Sequence, residues 1–172
     1  MIKTVIVGLG NPILADDGVG IKVAEELRTL IGHRDDVDVN QAYAGGLRIM
    51  DVVMGYDKAI IIDAMLNQNG VPGEIRKFGL EDFAATKNLF STHDMDLNSA
   101  FELAKITGYK VPNEVIIWGI EALDILTFSE ELTEVVAASV PTVVQNILAD
   151  LSDSHENELS VVGLKNIEYQ RG

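Results

Sequence analysis

Four side chains in this 172-residue sequence have the type and placement for metal or acid–base chemistry: the adjacent pair Asp16 and Asp17, then Asp63, then His93. The acid pair stands in Gly8-Leu9-Gly10-Asn11-Pro12-Ile13-Leu14-Ala15-Asp16-Asp17-Gly18-Val19-Gly20, whose glycines and proline mark a strand-to-helix turn. Asp63 closes the apolar run Lys58-Ala59-Ile60-Ile61-Ile62, and His93 falls in Ser91-Thr92-His93-Asp94-Met95. One or two carboxylates with one imidazole and no thiolate form an open site for a divalent transition metal, with positions left for water or a partner's ligand. The sequence has no cysteine, so disulfides, thiolate ligands and a Cys nucleophile are all excluded.

Each of these residues also has a plainer reading. Asp16 or Asp17 stands where a helix N-cap belongs, and one acid suffices for that, which leaves the second to be explained. Asp63 also reads as a turn acid at a strand end. His93 taken singly is a loop histidine, as are His33 and His155. What favours chemistry is convergence on one edge of a sheet.

The elements that must position these groups follow from hydrophobic periodicity. Residues 4 to 7 form a short β-branched strand, and Val19, Val23, Ala24, Leu27 and Leu30 recur at helical spacing. Asp36 to Asn40 alternates as a strand near the sheet edge, and a short helix carries Leu47, Met50 and Val53. Lys58–Ala64 is a buried strand. The turn residues 67–73 precede an alternating strand over 74–78, expected to be antiparallel because the connection is short. Residues 79–95 show no long periodic pattern. A helix follows, with Leu97, Ala100, Phe101, Ala104 and Ile106 on its buried side and Gly108 as its stop. Val115–Ile120 is a further buried strand, and a long helix is expected from Ser129, kinked or divided at Pro141.

Alternating strands and helices with continuous apolar strands predict a three-layer α/β sandwich: a mostly parallel twisted sheet of about five strands, with helices on both faces. In such sheets ligands bind beyond the carboxyl ends of the strands, where Asp16, Asp17, Asp63 and His93 are all expected. Residues 1–152 read as one domain, and 153–172 as a polar tail.

Composition narrows the function classes. A net charge of −14 disfavours nucleic acid and anionic membranes as partners and suits a cation or a basic partner. No segment reads as a signal peptide or membrane span, and a cytoplasmic protein is expected. Gly8-Leu9-Gly10 is a weak dinucleotide signal: Ile13 takes the third glycine's place, two carboxylates would repel a pyrophosphate, and Asn40-Gln41 stand where an acid is expected. Ser91 and Thr92 abut His93, but no G-x-S-x-G elbow supports a serine hydrolase.

The segments Gly10–Gly20, Ile62-Asp63-Ala64, Pro72-Gly73-Glu74 and Thr92-His93-Asp94-Met95, in that order, resemble the hydrogenase maturation proteases. The resemblance runs over about residues 4 to 150. It implies an endopeptidase that removes a C-terminal extension from the precursor of a nickel–iron hydrogenase large subunit once nickel has been inserted. It also implies that Asp17, Asp63 and His93 form the metal-recognition and catalytic site, while Asp16 caps or supports. Nickel is then supplied by the precursor, and other divalent metals also suit the site. A monomer is the default expectation. One departure is visible: relatives often carry an acid after the second strand, where this chain has Gln41. The competing class is a non-catalytic α/β module that binds a small molecule or protein at the same edge.

Overall fold

The structure, a computed structural model, is described for residues 2–43, 47–85 and 97–152. Five strands, β1 (Thr4–Leu9), β2 (Val37–Ala42), β3 (Lys58–Met65), β4 (Ile75–Gly79) and β5 (Glu114–Glu121), form one sheet in the order β2-β1-β3-β5-β4. All neighbours are parallel except β4, which runs antiparallel to β5; β4 does run opposite to β3, as the short connection between them requires, but β5 lies between the two and they do not pair. The helices are α1 (Val19–Ile31), α2 (Leu47–Val53), α3 (Leu80–Ala85), α4 (Leu97–Ile106) and α5 (Glu134–Ala137), followed by α6 over 140–152.

Alternation along the strands sorts the core into two layers. Ile6, Ile60, Ile62, Ile116, Trp118 and Ile120 pack against Val19, Val23 and Leu27 of α1 and Val140, Val143, Val144 and Ile147 of α6. Val5, Val7, Ala59, Ile61 and Ile117 point the other way, against Ile49, Met50 and Val53 of α2 and Phe101 and Ala104 of α4. Both faces of β1 and β3 are therefore buried along their whole length, while β2 at the edge is partly exposed. The expected three-layer α/β sandwich is the observed one.

Several elements differ from the sequence-based expectation. The segment expected to be aperiodic after residue 79 opens with α3; residues 86–96, including His93, lie outside the described residues, as does the tail 153–172. The long helix begins at Glu134 rather than Ser129, because the Ser129 hydroxyl instead accepts the Glu131 amide (3.0 Å) in a local turn. Pro141 sits in the first turn of α6, where its missing N–H costs nothing, and the break falls at 138–139. Glu134–Ser152 has the length and apolarity of a membrane span, yet its apolar side is packed into the core against the sheet. Ile106 is 81% exposed and Leu30 is also exposed, so the buried stripes of α4 and α1 end one turn earlier than the apolar pattern suggests.

Candidate functional site

The chain leaves β1 toward β2 on one side and later returns to place β3 on the other, so the strand order reverses between β1 and β3. The crevice outside their carboxyl ends is the topological switch point, where open α/β sheets bind ligands. A 3-10 turn, Ala15–Gly18, follows β1 there and carries Asp16 and Asp17; Asp63 lies near the carboxyl end of β3.

Close backbone contact brings the two sides of this crevice together. A Cβ on Gly20 would strike the carbonyl oxygens of Leu9 and Ile62, so only glycine lets the first turn of α1 rest on the ends of β1 and β3. Gly10 adopts φ 138°, with the Asp17 carbonyl where a Cβ would stand. Ala15, the one non-glycine residue with positive φ among the described residues (41°), carries local strain at the start of the 3-10 turn. The Asp17 side chain thus precedes a helix start that touches Ile62, the neighbour of Asp63.

Asp17 and Asp63 are each 3% exposed. Asp17 Oδ2 accepts the Asn11 amide (2.9 Å), and Asp63 Oδ1 accepts the amide of Ala64 (2.9 Å). Buried carboxylates facing the same edge are costly unless paired, hydrogen-bonded or bound to a cation. Among the described residues no three His, Asp or Glu side chains gather as a metal site, and the third expected member, His93, lies outside them.

Of the two roles expected of Asp16, capping and support, the structure shows the second. The N-cap position of α1 is Gly18, with no side-chain cap bond, so neither acid caps that helix. Asp16 is fully buried, and its carboxylate accepts the amides of Leu123 (2.9 Å), Asp124 (3.0 Å) and Thr133 (2.7 Å) together with the Thr133 hydroxyl (2.9 Å to Oδ2). These donors belong to the strap 122–133 that joins β5 to α5. Backbone bonds complete the seam: Ala15 N to Ser129 O (2.9 Å), Asp16 N to Asp124 O (2.9 Å) and Ser129 N to Ile13 O (3.0 Å). Within the strap, Asp124 is held below the usual carboxylate range, chiefly by the Thr127 side chain and then by the amides of Leu126 and Thr127.

Glu121, at the end of β5, is a fourth buried acid, absent from the sequence-based candidates. It accepts the Asn67 amide (2.5 Å) and side-chain amide (2.8 Å), and Gly70 packs so close that a Cβ would collide with the carboxylate. Gly73 N donates to Glu121 O (2.8 Å) and Glu121 N to Glu74 O (2.8 Å), which seats the Pro72-Gly73-Glu74 segment beside β5. A signal was available: β3 and β5 both carry an acid at their carboxyl ends, Asp63 and Glu121, at the same edge. Gln41, where relatives often have an acid, donates to Glu25 (3.3 Å) and accepts the Tyr43 hydroxyl (3.0 Å).

A family model described as hydrogenase maturation protease matches residues 21–150. The chain belongs to the hydrogenase maturation protease family. Membership makes it a peptidase, a hydrolase acting in hydrogenase maturation. The matched span includes Asp63 and the position of His93 and begins after Asp17. Hydrogenase 2 maturation protease of Escherichia coli is 24% identical over 153 residues, covering 88% of this chain and 92% of that protein. A putative hydrogenase maturation protease of Methanocaldococcus jannaschii is 27% identical over 151 residues, 85% and 94% of the two lengths. Among solved structures, the maturating endopeptidase HybD of E. coli superposes with a TM-score of 0.76 at 24% identity, covering 88% of this chain and 93% of that one, a likeness of fold. The [NiFe] hydrogenase maturation protease HybD of Thermococcus kodakarensis gives 0.68 at 25% identity, covering 87% and 98%.

Proposed function

We propose that this protease removes the C-terminal extension of a nickel–iron hydrogenase large-subunit precursor after nickel insertion, and that Asp17, Asp63 and His93 recognise the nickel the precursor carries. The observation that carries this reading is the pair of buried carboxylates, Asp17 and Asp63, flanking the switch-point crevice of a hydrogenase maturation protease. Two carboxylates and a neutral imidazole offset a divalent charge and leave coordination positions open, so a metal already held by the precursor can be contacted directly. Cleavage is then gated by the substrate's metal, and nickel belongs to the substrate rather than to the resting enzyme. On this reading the protein acts in the cytoplasm, in keeping with the expectation from its sequence.

The test is incubation of the purified protein with nickel-loaded and nickel-free precursor, read by intact mass. The reading expects loss of a C-terminal peptide from the nickel-loaded form alone. Equal cleavage of both forms removes the role of nickel; cleavage of neither removes the substrate assignment.

A further inference from the structure

The strap pinned by Asp16 exposes side chains that the core does not use. Leu126 is 82% and Phe128 81% exposed, and Leu123 and Ile13 are also exposed. Their backbones are not loose. Leu123 and Asp124 donate to Asp16, Leu126 and Thr127 donate to Asp124 Oδ1 (2.9 and 3.0 Å), and Ser129, next to Phe128, is bonded to both Ile13 and Ala15. A cluster of apolar side chains held out on a fixed backbone marks an interaction site, and little ordering entropy remains to be lost when a partner covers it.

Charge indicates the partner. Glu130 and Glu131 are exposed at the end of the strap, and from residue 111 to 164 the sequence contains no lysine or arginine. Negative charge at one end of an apolar stretch complements an apolar segment bearing cations and repels an acidic one. The strap adjoins the 3-10 turn that carries Asp17, which brings the exposed side chains next to the turn that follows β1.

We propose that Ile13, Leu123, Leu126 and Phe128, flanked at one end by Glu130 and Glu131, form a docking platform for an apolar, lysine- or arginine-bearing segment of the precursor, distinct from the contacts to its metal. This rests on the assignment of the precursor as substrate. The platform sets affinity, and the crevice performs the chemistry.

The test is a binding titration of nickel-loaded precursor against wild type, Leu126→Ser/Phe128→Ser and Glu130→Lys/Glu131→Lys, with thermal unfolding of each to establish that the fold is intact. Truncating two central apolar anchors should weaken binding about tenfold or more. Charge reversal should weaken it several-fold at low salt, with the difference shrinking as salt rises. Precursor affinity equal to wild type in both variants overturns the platform, and so does a wild type that does not bind precursor. A wild-type dimer that the serine variant abolishes assigns the face to a second copy and overturns it too. Wild type that binds through the platform without cleaving supports this proposal while contradicting the processing assignment, so the two fail separately.

Discussion

Asp16 and Thr133 are 117 positions apart in the chain and are joined twice, the Thr133 amide donating to Oδ1 at 2.7 Å and its hydroxyl to Oδ2 at 2.9 Å. This pair holds the strap after β5 against the turn after β1. Asp16→Asn puts an NH2 group among donors and leaves several buried amides short of an acceptor, which should cost about 3 kcal/mol. Thr133→Val keeps the amide and removes the hydroxyl, for about 1 kcal/mol. Urea unfolding measures both. A loss for Asp16→Asn no larger than that for Thr133→Val contradicts a linchpin role.

Gly20 is where α1 meets the sheet. Gly20→Ala drives a Cβ into two backbone carbonyls that cannot move aside without shifting β1 or β3. The expected cost is about 3 kcal/mol or more, in the range of severe overpacking. Gly108→Ala meets nothing within 4 Å and faces only its φ of +82°, so about 1–2 kcal/mol is expected there. Thermal unfolding of the two variants should rank them in that order; the reverse order would refute the close-approach argument.

Glu121 ties the loop after β3 to the sheet. Glu121→Ala leaves the Asn67 amide and side chain without their acceptor. Hydrogen exchange at Asn67 and Gly70 should accelerate by at least tenfold, while amides in the middle of β3 stay protected. Unchanged exchange at Asn67 means that other contacts hold the loop.

Asp124 supplies a pH signature. Its folded pKa is depressed, so its stabilisation of the strap is complete above the unfolded value of about 4 and is lost as pH falls through the lower folded value. Amide chemical shifts of Leu126 and Thr127 should therefore stay flat from pH 8 to 5 and move only in acid below about 4. A midpoint between pH 5 and 7 contradicts this.

Much of this architecture is legible in the sequence, for a physical reason. β1, β3 and β5 are buried on both faces and so read as unbroken apolar runs, while α1 shows its stripe at helical spacing. The edge location of Asp17 and Asp63 follows from topology alone. What escaped is long-range: nothing local to Asp16 announces that its donors lie beyond residue 120, so it resembled an N-cap. Ser129 looked like a helix start because a local turn uses the same hydroxyl chemistry as a cap. Glu121 was hidden at the end of an apolar run whose neighbours drew attention to packing.

The most direct measurement is the intact mass of nickel-loaded precursor after incubation with wild type, Asp17→Asn, Asp63→Asn and His93→Ala, with nickel-free precursor in parallel. The account predicts a C-terminally shortened product only with wild type and only from the nickel-loaded precursor, while the three variants retain near-wild-type unfolding temperatures. Processing by Asp17→Asn or His93→Ala at the wild-type rate, or equal processing of the nickel-free precursor, contradicts it.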